Sequence, residues 1–536
     1  MNFDIKKILS DFSIKSNGTL PNNIEREENV SLFDGQNDND SAGRISSLQS
    51  ERAGLVTALS NTDDENEARE LQNKIDRIDD EIYQQKLHEH YENFVSESSL
   101  PQNISRQLFD LTVQSVETDD LAGRAAREQQ INAIKSQYNL SESDLEHLDL
   151  ARSIAKDYKL TQIEKEQARS NFAANDKVDK LEQQLSRATD SSVRNRINNE
   201  ISQVKEEQFK NNLAAEKNKF ITSTNLPLDV AYQLFDLYAQ KGEITDADQL
   251  NKINQKLEQI SQMYELNQSD TEFLARAENM SKEHKLNRME ERHDRLSDAN
   301  LIKLEDLFNE IANATDPDEI SRLYAEIDAL GSEQFKATTE FEKERFLTTT
   351  DLPKDAAAKL FDLTMDITMS DDENEIQTLK AELNALTQQY SLSESDKKTL
   401  DEVTNLSKQY KLDVAMSVYV QAYRTNVDAF QQLNNDLENT TDPNDRERIQ
   451  NDIKSVTNKM RSDTLNFEME KLLLDTELPK DVVRDLFQLT IDKTQTTDEL
   501  QLANINAQIE AISKQYNISE ADLAHLSDAE EVAAAE

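Results

Sequence analysis

Apolar positions along the chain recur at alternating steps of three and four, the spacing that lines one face of an α-helix. Leu71, Ile75 and Ile78 set the pattern. It returns at Ile197, Ile201 and Val204, at Leu323, Ile327 and Leu330, and at Ile449, Ile453 and Val456. All twelve positions keep one step of 126 residues. Such a stripe predicts a helix packed along another helix. Each of these helices is expected to begin after an acidic, turn-forming break, at Thr62, Thr189, Thr315 and Thr441. Pro317 and Pro443 suit a first turn, where a missing N–H removes no helical bond, and the acids there complement the helix dipole.

A second pattern has the same step. It reads LPQNISRQLFDL from Leu100, LPLDVAYQLFDL from Leu226, LPKDAAAKLFDL from Leu352 and LPKDVVRDLFQL from Leu478. Pro101, Pro227, Pro353 and Pro479 are expected in the first turn of a short helix. Asn103, Asp229, Asp355 and Asp481 follow near the free N–H groups. The paired Leu and Phe (Leu108 and Phe109, Leu234 and Phe235, Leu360 and Phe361, Leu486 and Phe487) are read as core, with a peptide groove as the alternative. A third helix follows Thr118, Thr245, Ser370 and Thr497 and ends at Tyr138, Tyr264, Tyr390 and Tyr516.

A Ser or Asn then precedes an Asp by three residues, at Ser141 and Asp144, Asn267 and Asp270, Ser393 and Asp396, and Ser519 and Asp522. This is the spacing of a capping box that can satisfy the free amides at a helix start, with an imperfect fit expected because Asp is shorter than Glu. The longest helices start there, from Glu142, Gln268 and Glu394, and run uninterrupted for about 45 residues, or about 65 Å. The fourth copy starts the same helix at Glu520 and is read as an end cap or a second docking peptide.

The resulting expectation is an all-α fold, an elongated tandem helical repeat of four ~126-residue units with long helices shared between neighbours. Residues 1–42 form a flexible tail with a short amphipathic docking helix. Helical repeats cover 43–160, 161–286, 287–412 and 413–536, the last with a truncated C-terminal helix. In the tail, Ile5, Ile8, Leu9 and Phe12 share one helical face. With Phe3 and the small apolar island at Leu32 and Phe33, they are the candidate partner-binding residues. An amphipathic peptide on a polar leash is a common docking device; packing back on the first repeat is the alternative.

Composition narrows the function classes. Residues of the hydrophobic set make up 36%, and tryptophan is absent, which suits helices that each bury one stripe. Seven glycines, only Gly242 and Gly331 of them after Gly123, leave little material for tight hairpins. The net charge of −46 repels phosphate backbones and anionic membrane surfaces, so no nucleic acid is expected as partner. No apolar run approaches a membrane span, and charges interrupt the N-terminal stretch where a classical signal peptide needs an apolar core. The chain is read as soluble, cytoplasmic or in a virion. It contains no cysteine, which removes disulfides and thiolate chemistry.

No catalytic constellation emerges. Of the six histidines, none stands in a zinc-helix spacing. His147 and His525 share one repeat position, where the other copies carry Phe273 and Thr399; they are read as edge residues. Glu290 and His293 show the di-iron spacing once rather than twice. The acidic runs at Thr62 and Ser370 lack the length and central Gly of a calcium loop. No phosphate-cradling Gly loop or nucleophile elbow is present. The sequence therefore assigns no catalytic, cofactor-binding or metal residues, and no enzyme.

In composition and layout the chain resembles bacteriophage scaffolding and internal virion proteins, which are acidic, helical, cysteine-poor and elongated, with a short terminal helix. The resemblance implies a non-enzymatic assembly role and docking onto a protein partner such as a capsid or portal, with self-association as a second mode. It carries over no residues. Two other classes fit: a bacterial protein-interaction array, such as a secreted effector or surface-binding protein, and an acidic nucleic-acid mimic.

Overall fold

The computed structural model describes residues 41–534 except 63, 119, 477 and 517. The candidate docking residues Phe3, Ile5, Ile8, Leu9, Phe12, Leu32 and Phe33 lie outside the described residues. Among the described residues the fold is all-α, with 17 helices and no strand. In chain order they are α1 (Ser41–Asn61), α2 (Glu65–Glu97), α3 (Gln102–Glu117), α4 (Leu121–Gln137), α5 (Glu142–Arg187), α6 (Ser191–Ser223), α7 (Leu228–Glu243), α8 (Ala247–Met263) and α9 (Gln268–Asn313). They continue with α10 (Pro317–Thr349), α11 (Lys354–Met369), α12 (Glu373–Gln389), α13 (Glu394–Asn439), α14 (Pro443–Asp475), α15 (Lys480–Gln495), α16 (Glu499–Tyr516) and α17 (Glu520–Ala534). From α2, helix lengths run 33, 16, 17 and 46 residues and repeat those values through α13. Residue contacts divide the chain into two compact units, 41–243 with 251–284, and 244–250 with 285–534.

In the first unit, the Leu–Phe pair of α3 is fully buried. Leu108 and Phe109 pack with Phe94 of α2, Ile131 of α4, and Leu148, Ala151 and Ala155 of α5. The small Ala side chains let the start of α5 approach closely. The Phe94 and Phe109 ring centroids lie 6.1 Å apart, and Phe220 and Phe235 repeat that distance. Farther along, α5 buries Leu181 against Ile197, Ile201 and Val204 of α6. Each fully buried Phe contributes about 3–5 kcal/mol relative to Ala. The second unit buries Phe346, Leu360 and Phe361 with Leu400 and Val403. Near its end Leu472, Val483, Leu486 and Phe487 pack with Leu526 and Ala529. All four Leu–Phe pairs are thus core rather than groove.

Two local expectations need correction. Pro101, Pro353 and Pro479 occupy the N-cap, one position before the helix, with extended ψ. Their carbonyls accept the first helical bonds, Ser105 N–H at 3.0 Å and Ala357 N–H at 2.9 Å among them. The preceding turn is made by a hydroxyl: Ser98 accepts from Leu100 N–H at 3.2 Å and Thr350 from Leu352 N–H at 3.2 Å. The capping boxes, in turn, are complete. Ser141 Oγ accepts from Asp144 N–H at 3.1 Å while Asp144 Oδ2 accepts from Ser141 N–H at 2.8 Å. Ser393 with Asp396 and Ser519 with Asp522 repeat the pattern. Burial pushes the Asp144 carboxyl up, but bonds from Ser98 and Ser141 outweigh it and hold the group below its usual range.

Candidate partner-binding surface

Within the second unit, α13 carries two kinds of surface. From Val414 to Val427 its only charged residue is Arg424. The window 126 residues earlier, Arg288 to Leu301, holds Arg288, Glu290, Glu291, Arg292, Asp294, Arg295 and Asp298. One face of this window is covered by α14. Tyr419 stacks on Phe467 at 4.9 Å, and buried Asn426 donates to Asp463 Oδ2 at 2.8 Å. Another flank meets α10: Gln421 donates to Asp328 Oδ2 at 2.9 Å and Arg424 to the Tyr324 hydroxyl at 3.2 Å.

Between these lies a row spaced by four, three, four and three residues: Met416, Val420, Tyr423, Val427 and Phe430. That is the spacing at which one helix presents a continuous seam to another. Met416, Tyr423 and Phe430 are nevertheless 44%, 43% and 36% exposed, and Val420 and Val427 are half-buried. Val414 and Val418 add exposed apolar area beside them. At the positions 126 residues before the seam stand Glu290, Asp294, Ser297, Leu301 and Leu304. Exposed apolar groups at this spacing, on a chain this charged, mark an interaction surface more often than chance scatter does. The sequence reading missed it; the signal was the charge-poor window on a helix otherwise rich in charge.

The histidines fall into packed environments. His284 stacks on Phe209 at 3.7 Å and reaches Glu206 at 2.9 Å. His293 stacks on Phe341 and meets the Thr338 hydroxyl at 3.0 Å. His147 and His525, read above as edge residues, each meet an exposed carboxylate. They reach Glu97 at 3.2 Å and Asp475 at 3.0 Å. Burial pushes the His90 imidazole down, with further lowering by His147.

Buried charge concentrates in the first unit. Lys165 of α5 sits 3.3 Å from Asp76 and 2.9 Å from Asp79 of α2. Arg52 of α1 also pairs with Asp79, and Arg169 with Asp76. The neighbouring Asp80 is pushed up to about 7, chiefly by burial and then by the Asp76 charge. Elsewhere Lys159 Nζ donates to the Val116, Glu117 and Thr118 carbonyls at 2.9, 3.3 and 3.1 Å, closing the C-terminus of α3. A lysine there satisfies orphan carbonyls and complements the dipole. Among the described residues, one group has metal-ligating composition: Glu468, His525 and Asp528, each with a ligand atom within 4.8 Å of the others.

Comparison of the chain with protein-family models, curated proteins and solved structures finds no match. No described helix is long and apolar enough to cross a membrane.

Proposed function

We propose that this chain is a non-enzymatic assembly protein, an acidic helical-repeat scaffold that binds protein partners. The observation that carries this reading is the half-exposed seam Met416, Val420, Tyr423, Val427 and Phe430 on α13. The partner it fits is an amphipathic helix with an apolar stripe and basic flanks. The stripe answers the seam, and the basic flanks answer exposed Asp413, Asp428 and Asp328 around it and the net charge of −46. The N-terminal residues Phe3, Ile5, Ile8, Leu9 and Phe12 provide a second, separate anchor in this proposal. A virion scaffolding or internal role, with capsid or portal as the docking surface, is the specific assembly class put forward, on the resemblance in composition and layout. A second copy of the chain would meet like charge and is the weaker occupant.

The experiment is affinity capture from the native source with three baits: the full chain, a chain starting at Gly43, and the full chain carrying Met416→Glu, Tyr423→Glu and Phe430→Glu. The α13 reading requires one dominant partner to vanish from the third bait, and purified partner segments to titrate as a helix by circular dichroism. A partner lost from the second bait alone assigns binding to the tail. Full retention on all three baits overturns both.

A further inference from the structure

At the end of the second unit, α17 packs beside α14, and three groups with metal-ligand chemistry converge there. His525 and Asp528 are three residues apart on α17, hence on one face, and Glu468 reaches them from α14. A ring nitrogen and one oxygen from each carboxylate lie within 4.8 Å of one another. Two further facts concern the imidazole itself. Its Nε2 lies 3.0 Å from Asp475 Oδ2. Its Nδ1 is buried and has no hydrogen-bond partner. A buried ring nitrogen without a partner forfeits about 1–3 kcal/mol of solvation. The pairing of one ring nitrogen with a carboxylate is how a metal-bound histidine is usually oriented and made more basic.

We propose that His525 Nδ1, Glu468 and Asp528 hold one divalent first-row transition ion of the zinc class, with Asp475 orienting the imidazole and water completing the shell. The donor set of one imidazole and two carboxylates suits such ions and discriminates against Mg²⁺ and Ca²⁺, which prefer oxygen alone. Lys471 Nζ donates to Glu468 Oε2 at 2.8 Å, so Glu468 is expected to bind through its other oxygen. The same repeat positions show why the site is confined to this copy. They read His90, His147 and Leu150 in the first, Glu216, Phe273 and Arg276 in the second, and Glu342, Thr399 and Glu402 in the third. Of these four sets, only Glu468, His525 and Asp528 combine one imidazole with two carboxylates.

These natural alternatives supply well-tolerated test variants: His525→Phe and Asp528→Leu place residues the fold already carries at those positions. The full chain is titrated with Zn²⁺ by calorimetry at physiological salt and in excess Mg²⁺, which occupies the general acidic surface. Co²⁺ absorption reports coordination independently. One equivalent of Zn²⁺ is expected, with its affinity abolished in His525→Phe and Asp528→Leu, and weakened about 10–100-fold in Asp475→Asn. Circular dichroism checks that the variants stay helical. If either ligand variant fails to fold, Asp475→Asn and the Co²⁺ spectrum decide. Zn²⁺ binding that Mg²⁺ eliminates, binding unchanged in folded ligand variants, or a Co²⁺ spectrum unchanged in Asp475→Asn would each overturn the proposal.

Discussion

Lys165→Met should be among the most damaging single changes in the first unit. The Lys165 side chain is 6% exposed and Asp79 is fully buried, with Nζ between Asp76 and Asp79. The cluster counts three carboxylates, Asp76, Asp79 and Asp80, against Lys165, Arg52 and Arg169. Methionine keeps the volume but leaves buried carboxylate charge with two guanidinium partners, and the Arg169 side chain is 45% exposed. Removing one member of a buried pair costs about 3–5 kcal/mol. The loss should depend on pH. Lys165 lowers the Asp80 carboxyl, so its removal lets that group rise further above 7. A carboxyl whose folded value lies above its unfolded value carries no penalty at pH below the unfolded value. The penalty grows as pH rises toward the folded value. The defect should therefore be largest near pH 8 and shrink toward pH 5. Hydrogen exchange of α2 and α5 amides measures it locally. A defect under about 1 kcal/mol, the level of an exposed ion pair, or one that grows on acidification, would refute the reasoning.

Asp80→Asn probes the same cluster in the opposite sense. With the wild-type carboxyl at about 7, raised by burial and then by Asp76, stability falls as pH climbs from about 4 to about 7. After discounting for partial exposure, Asn should recover on the order of 1–2 kcal/mol at pH 8 and little at pH 4, read from paired urea titrations. Gly242→Ala, which in an open helix would stabilise by about 0.5–1 kcal/mol, should destabilise. An added Cβ would lie 2.3 Å from the Glu278 carbonyl and 2.8 Å from Ser281 Cβ, so α7 and α9 must separate. Thermal melting gives the sign. Ser393→Ala removes the hydroxyl that accepts from Asp396 N–H at 3.1 Å and should lose about 1 kcal/mol, visible as faster exchange in the first turn of α13.

Local rules made most of the helices legible. The stripe beginning at Leu71 and the Leu–Phe pair at Leu108 need only periodicity and a hydrophobic contrast, and both are core. What the sequence could not show depends on register between helices far apart in the chain. Lys165 and Asp76 are separated by 89 residues, and no local pattern says that they meet. His147 reads as an edge residue because the residues at steps of 126 from it vary. Its partner Glu97 lies 50 residues upstream, and the fourth copy substitutes a matching pair, His525 and Asp475. Variation among copies thus concealed covarying contacts. The capping box was underrated for a different reason: chain geometry brings Asp144 close enough that its shorter side chain still reaches the Ser141 N–H.

The seam on α13 raises the sharpest question, because heptad spacing is equally the mark of an internal helix contact. Burial separates the two readings. A residue that anchors the fold loses about 2–5 kcal/mol when its side chain is removed, whereas a surface change away from special contacts stays within about 0.5 kcal/mol. Phe361, fully buried, and Tyr423, 43% exposed, provide the internal scale. Tyr423 meets Tyr419 at 5.8 Å on its inner side, so Tyr423→Glu should lose a small ring contact, and Met416→Glu almost nothing. Phe361→Ala should destabilise by about 3–5 kcal/mol in the same host. If Met416→Glu and Tyr423→Glu each approach that loss, the seam belongs to the fold and the partner reading falls. If they melt like the parent, fold stability gives no reason for a charge-poor face to persist amid acidic surface, and recognition of a partner helix remains its physical explanation.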